Sequence, residues 1–244
     1  MNSSRLPGKV LLDLGGEPML VRVVERSRRA KTLAAVGVAT TTDPSDDAVA
    51  ALCTERGYLV SRGSQFDVLD RYYQAAKQFQ ADVIVRITAD CPVMDPDLID
   101  ETVKVFLEEK LDFAATRLPP PWHRTYPIGL DIEVCSFTGL EQAWKNAAEK
   151  FEREHVMPYF YDTEGRFKIR VLDYEQDYGT QRWTVDTAPD LDMLRAIYAR
   201  FDNRDDFTWL DIVKLIEREP ELVQINAGVH HKMGTDVDER QQPA

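Results

Sequence analysis

Cysteine is scarce in this chain of 244 residues: Cys53, Cys91 and Cys135 are the only three, widely spaced and without a CxxC pair. An odd and scattered set excludes a disulfide framework or a thiolate zinc site, and it reads as the reduced thiols of a cytoplasmic protein. Histidine is nearly as sparse, and two of the four, His230 and His231, fall in a polar tail, which leaves no histidine metal centre. No stretch approaches the roughly 18 uninterrupted apolar residues of a membrane span. The amino terminus also lacks the basic-then-apolar pattern of a signal peptide. Positive charge is in deficit, 30 basic against 42 acidic residues for a net charge of -12. That balance argues against nucleic acid or an acidic membrane as the main partner, yet it leaves room for a small anion held by a local cationic cluster. Neither a GxSxG elbow nor a Walker loop occurs, so Ser/His/Asp hydrolysis and P-loop phosphoryl transfer fit poorly.

What the chain does have is rhythm. Leu20, Val23 and Val24 share a helical face after Glu17-Pro18, and that helix ends near Thr32-Leu33. "AAVGVAT" (34–40) is a nearly all-apolar run suited to a strand covered on both faces. "DPSDD" starts a second helix with Ser45 as its cap, Gly57 closes it, and "YLV" makes the next strand. Val68, Leu69, Tyr72, Ala76 and Phe79 mark a third helix, followed by the clearest strand, "DVIVRIT" (82–88), and by an Asp95-Pro96 helix start. This alternation predicts an α/β three-layer fold with a mostly parallel sheet. Beyond residue 112 the order changes. Strands "DFAATR" and "LDIEVCSF" flank the loop "LPPPWHRTYPIG", and helices follow around 139–148 and 153–161. A strand "FKIRVL" comes next, then two helices capped by Thr187 and Thr208. The simplest organisation is one domain over residues 1–231, with 232–244 a disordered tail.

Ligands of such sheets bind beyond the carboxyl ends of the strands. The opening loop offers Arg5 and Lys9 around Pro7-Gly8, with Ser4 beside them. Cations neutralise phosphate charge there, and glycine lets backbone N–H groups approach closely. Read alone, such a loop is equally a solvated one. Asp90, just past the strongest strand in "ITADCP", suits a divalent cation bridging phosphates, or else a turn cap. Asp186 repeats the arrangement after "WTV", where it also serves as a helper to the Thr187 cap. As a pair, the two carboxylates can hold one cation between them. Arg62, Gly63 and Ser64 follow another strand, where polar groups read a base edge. His155, between Glu154 and Val156, reads as a satisfied helix histidine before it reads as an acid or base.

Seven segments in order, "SRLPGKVLLDLGGEPML", "TTTDPSDD", "RGSQFDVLDRYYQAA", "VIVRITADCPVMDPDLID", "TYPIGLDIEV", "EREHVMPY" and "RWTVDTAPDL", closely resemble the cytidylyltransferase family typified by spore-coat polysaccharide biosynthesis protein F. That family lies within the wider group of CMP-sugar-acid synthetases that activate ketodeoxyoctulosonate and sialic acids, and the resemblance spans about residues 3 to 226. It implies a nucleotide-diphospho-sugar transferase fold, Mg²⁺ as cofactor, CTP and a sugar or sugar acid as substrates, and a homodimer. It implies triphosphate contacts at Arg5 and Lys9, with Ser4 and Gly8 in the same loop, and metal ligands at Asp90 and Asp186. Thr88, Arg62, Gly63 and Ser64 fall by the base, and Tyr126, Gly129, Asp131 and Glu133 near the acceptor or in dimer-forming strands. The family pattern starts one strand earlier, with I-I-Q-A-R-M-G, where Met1 aligns with that Met. The expectation is therefore a sheet without its usual first, central strand, in a truncated reading of a longer protein. Two alternatives stand beside the enzyme: a nucleotide-sugar glycosyltransferase, for which "ADCP" supplies only one carboxylate of a D-x-D motif, and a catalytically silent nucleotide-binding subunit.

Overall fold

The computed structural model describes residues 1, 3–119 and 124–229 of the chain. The expected tail at 232–244 and part of the Pro-rich loop lie outside them. The opening loop turns through Gly8, whose φ of 71° only glycine adopts at little cost, and whose N–H donates to the Met1 carbonyl at 3.0 Å. A small hairpin follows, β1 (Asp13–Leu14) with β2 (Glu17–Pro18), closed by Gly15 and Gly16 at φ 68° and 91°. Two consecutive glycines at positive φ are what such a tight turn demands. Helix α1 (Met19–Ser27) therefore starts at Met19, with Pro18 as its cap, two residues after the expected start at Glu17.

Strand β3 (Gly37–Thr41), helix α2 (Asp47–Glu55), strand β4 (Leu59–Gly63) and helix α3 (Val68–Gln78) follow in the expected alternation. The turn before α2 is capped by the carboxylate of Asp43, which accepts from Ser45 N at 2.9 Å, so Ser45 is the capped residue and not the cap. Strands β3 and β4 pair in parallel, Val38 opposite Val60. Strand β5 (Val83–Arg86) leads to α4 (Pro96–Glu108), whose cap is Asp95 with Pro96 at the first helical position, as read from sequence.

The second half departs from the parallel expectation. Strands β6 (Phe113–Ala115), β7 (Glu133–Ser136) and β8 (Ile169–Val171) join β5 in a four-stranded mixed sheet of order β5-β7-β6-β8. Strand β7 runs antiparallel to both β5 and β6, while β8 is parallel to β6. The cause is the β6–β7 connection, whose described residues include no crossover helix, so the chain returns beside its own strand. Helices α5 (Phe137–Asn146), α6 (Lys150–His155) and α7 (Pro158–Tyr161) cover one face. Helices α8 (Ala188–Arg200) and α9 (Trp209–Arg218) begin at Thr187 and Thr208, each a reciprocal capping box with an Asp three residues on. Apolar burial gathers in three clusters. The largest combines α4, α8 and α9 with Val134 and Trp183, the second lies between α3, α5 and β6, and the third between α1, α2 and β3. Among the described residues no helix is long and apolar enough to cross a membrane.

Candidate active site

Parallel β5 and β6 point their carboxyl ends at one edge, and β7 starts there. The opening loop, the Asp90 turn and the segment Trp183–Thr187 meet at that edge. The backbone stitches the last two together: the Asp90 carbonyl accepts from Val185 N at 2.9 Å and from Thr184 Oγ1 at 3.1 Å. Lys9 reaches in from the loop. Its Nζ donates to Asp90 Oδ2 at 2.8 Å, to Val185 O at 2.8 Å and to Asp186 Oδ1 at 3.0 Å. All three donors of the ammonium are therefore used, and one cation sits between the two carboxylates 96 positions apart in sequence.

The second oxygen of Asp186 faces two guanidinium groups, Arg182 Nη2 at 2.7 Å and Arg5 Nη2 at 3.0 Å. Arg182 is fixed in turn by fully buried Asp190, whose Oδ1 accepts from Arg182 Nε at 2.9 Å and from Asn226 Nδ2 at 3.0 Å. Burial alone would push these carboxyl groups up, but the adjoining cations outweigh it. Asp186 is held down at about 2 by Lys9, Arg182 and Arg5, and Asp90 is lowered chiefly by Lys9. Burial likewise works against the charge of Lys9, and the two carboxylates raise its pKa in spite of it. The site is thus fully ionised at neutral pH.

Those residues also fit a divalent cation. Among the described residues no three His, Cys, Asp or Glu side chains converge on one point. A hard cation that takes one or two carboxylates and completes its shell with substrate phosphates needs no such cage. The oxygen that Lys9 leaves for it is Asp90 Oδ1, which accepts from the Cys91 thiol at 3.6 Å.

The other expected residues divide into groups. Thr88 lies beside this centre, sharing a hydrogen bond with Cys91 Sγ at 3.2 Å. Ser4 is exposed on the opening loop. Arg62, Gly63 and Ser64 lie at the carboxyl end of β4 but are bound to their surroundings. Arg62 spans Thr41 O at 2.8 Å and Asp47 Oδ1 at 2.7 Å, Gly63 O accepts from Thr42 N, and Ser64 Oγ accepts from Asp67 N. Tyr126 is buried in an aromatic cluster with Tyr174 and Trp209. Gly129, at φ 109°, lies so close to the Trp183–Thr184 backbone that an added Cβ would stand 2.7 Å from a carbonyl carbon. It lets its own loop lie flat on the segment that carries Asp186.

Asp131 and Glu133 belong to a ladder of charge that sequence inspection did not assemble. Glu133 opens β7 opposite Arg86 and pairs with it, while Arg117 reaches both Glu133 at 4.0 Å and Asp131 at 3.3 Å. Arg124 completes the row on Asp131 at 3.0 Å. Nε of Arg71 and Arg86 and Nε2 of His155 are buried and without a hydrogen-bond partner among the described residues, whereas Arg117 Nε is the atom that faces Asp131. Burial foremost, then the charges of Arg86 and Arg117, lower the pKa of His155 against the pull of Glu154. The ladder is rich in cations, with Arg86, Arg117 and Arg124 set against Glu133 and Asp131. The available signal was "VIVR", an arginine inside an otherwise apolar strand, since a half-buried guanidinium is costly unless it is paired or used.

At the end of β3, Asp46 collects the Met1 ammonium at 2.5 Å, Thr40 Oγ1 at 2.8 Å, and both N and Oγ1 of Thr41. Burial opposes ionisation, but these donors bring its pKa to about 2, below its ordinary 3.8. A folded-state pKa below the unfolded one adds stability above pH ~4 that disappears as pH falls through the folded value. Urea titrations at pH 5 and pH 2 should show about 2 kcal/mol of acid destabilisation from this group. In Asp46→Asn that component should vanish, leaving a shallower loss over the same window.

A profile of the family described as cytidylyltransferase matches residues 1–214. An uncharacterised protein of Methanocaldococcus jannaschii is 39% identical over 242 residues, covering 97% of this chain and 95% of that protein. The spore coat polysaccharide biosynthesis protein SpsF of Bacillus subtilis is 28% identical over 228 residues, 91% of this chain and 92% of its own length. A 3-deoxy-manno-octulosonate cytidylyltransferase of Anaeromyxobacter sp. (strain K) is 27% identical over 234 residues, with 81% and 93% covered. Among solved structures, a cytidylyltransferase from Leptospira borgpetersenii serovar Hardjo-bovis superimposes with a TM-score of 0.87 at 33% identity, covering 95% of both chains.

Proposed function

The chain belongs to the cytidylyltransferase family, and on that premise we propose that it transfers CMP from CTP to a sugar or sugar-acid acceptor and releases pyrophosphate. The observation that carries the reading is Lys9, fixed between Asp90 and Asp186 with Arg5 and Arg182 alongside. This constellation concentrates charge on the phosphate-sized scale at the sheet edge where α/β folds hold ligands. An acceptor oxygen attacks the α-phosphorus, the bond to the bridging oxygen breaks, and pyrophosphate departs with that electron pair. No covalent enzyme intermediate is required. Lys9 and Arg5 align the phosphates and neutralise charge that grows on the leaving group. Mg²⁺ held by Asp90 and Asp186 would supply further neutralisation of the phosphate oxygens.

The charge ladder supports an acceptor that is itself an anion. Among the described residues Arg86, Arg117 and Arg124 pair with Glu133 and Asp131, three cations against two anions, and Arg71 adds a further buried donor nearby. A carboxylate or phosphate on the sugar would complete that balance. The test is pyrophosphate release with CTP, ATP, GTP and UTP, each offered with a panel of sugar acids and sugar phosphates. Release is expected with CTP and an anionic acceptor together, at least about tenfold faster than with any other base. Nucleotide binding without turnover across the panel would instead indicate a silent subunit, and release from every nucleotide alike would remove cytidine as the substrate.

A further inference from the structure

Asn226 is buried where its neighbours in the chain are not. It follows a short helical turn over Pro220–Gln224, and Gln224, Ile225 and Ala227 on either side of it are exposed. Ile225 is 40% exposed and Asn226 6%, so the chain turns an apolar side chain out and an amide in. Apolar attachment of this segment is already supplied by Leu222, which is buried in the largest cluster. An amide taken out of water costs free energy unless its hydrogen bonds are made. Both hydrogens of Asn226 Nδ2 are placed: one donates to the Arg182 main-chain carbonyl at 3.1 Å, the other to Asp190 Oδ1 at 3.0 Å.

Those two acceptors belong to one frame around Asp186. Asp190 Oδ1 also accepts from Arg182 Nε at 2.9 Å, and its Oδ2 from Arg182 Nη2 at 3.2 Å, Asp186 N at 3.0 Å and Thr187 N at 2.9 Å. Asp190 therefore holds Asp186 twice, once by the main-chain N–H and once through Arg182, whose Nη2 reaches Asp186 Oδ2 at 2.7 Å. With Oδ2 pinned, Oδ1 is the oxygen turned to Lys9. Asn226 closes the frame by tying the Asp190 carboxylate to the Arg182 main chain, so the arginine is fixed at its root as well as at its tip. On the premise of the transfer reaction proposed above, we infer that Asn226 is a positioning residue of the phosphate centre, acting on the Asp186 carboxylate through Asp190 and Arg182. Hydrogen-bond partners behind a ligating side chain typically change metal affinity or activity by about 10–100-fold.

The test is calorimetric titration of the full chain with Mn²⁺·CTP and with metal-free CTP, beside urea unfolding of the same preparations. The ratio of the two affinities isolates what the cation adds. Asn226→Leu keeps the bulk and removes both donors, and it is expected to lower that ratio by about tenfold or more. In an Asp186→Asn background the same substitution should change the ratio by less than about twofold, because its route passes through that carboxylate. Leu222→Ala loosens the same segment without touching Asp190, and it should lower the urea midpoint and keep the ratio. Asn226→Ala repeats the measurement with a smaller side chain, so a leucine variant that fails to fold does not end the test. An unchanged ratio in the Asn226 variants, or an equal fall in Leu222→Ala, overturns the positioning role and leaves the transfer reaction standing. An unsubstituted chain that binds Mn²⁺·CTP no more tightly than CTP overturns the cation-assisted reaction and the role of Asn226 with it.

Discussion

Asp90→Asn is expected to lower CTP-dependent pyrophosphate release by about 10³-fold while moving the melting temperature little. The expectation for activity rests on charge. Asp90 and Asp186 are the two carboxylates that flank Lys9, and an amide at position 90 removes one of them from the pair proposed to hold a divalent cation. Loss of one preorganised charge-stabilising group typically costs about 10²–10³ in turnover, and loss of a metal carboxylate lies at or beyond that upper end. The expectation for stability rests on what survives. The hydrogen bonds from Val185 N and Thr184 Oγ1 go to the Asp90 main-chain carbonyl, which the substitution leaves in place. An asparagine Oδ1 still accepts from Lys9, and Lys9 keeps Asp186 and Val185 O. The electrostatic repulsion between the carboxylates, which pushes the Asp90 pKa up, is relieved at the same time. Turnover and thermal melting of the same preparation check both halves, and near-normal turnover would take Asp90 out of the phosphate centre.

The place of Asp90 just past an apolar strand was legible in the sequence, because "VIVRIT" reads as a strand that ends ahead of it. The caps at Asp95, Thr187 and Thr208 were legible for a related reason, since each is a short polar side chain immediately before a periodic apolar run. Such signals are local. Lys9 could be named as a cation near phosphate, but its place between two carboxylates from distant loops depends on how the sheet edge gathers those loops. The antiparallel course of β7 was hidden likewise, because an apolar strand reads the same in either direction. Gly129, expected near the acceptor or in dimer-forming strands, lies against the protein's own backbone at Trp183, a contact that no sequence pattern announces. The Arg86–Glu133 pair spans 47 positions, and only the β5–β7 register brings the two side chains together.

That pair also sets the second large effect. Glu133 is 3% exposed, and its carboxylate is the anion that both Arg86 and Arg117 face on β7. Glu133→Gln keeps the shape and removes the charge, leaving two guanidinium groups in a half-dry wall with Asp131 alone to balance Arg117 and Arg124. Breaking one side of a buried ion pair costs about 3–5 kcal/mol, and a loss of that size is expected in denaturant unfolding of Glu133→Gln. Arg86→Met should cost a similar amount, because the cation left to Glu133 among the described residues is Arg117 at 4.0 Å. The double variant discriminates between a charge effect and simple loss of packing. If the cost is that of an unpaired buried charge, removing both partners should recover about 1–3 kcal/mol relative to the sum of the singles. Additive losses would mean that the side chains act through packing alone. The same variants report on catalysis by a separate readout. A ladder that receives the acceptor's anionic group should shift the KM for acceptor in Glu133→Gln and leave the KM for CTP unchanged, since Lys9, Arg5 and Asp186 are untouched. A parallel change in both constants would instead place the effect in the fold as a whole.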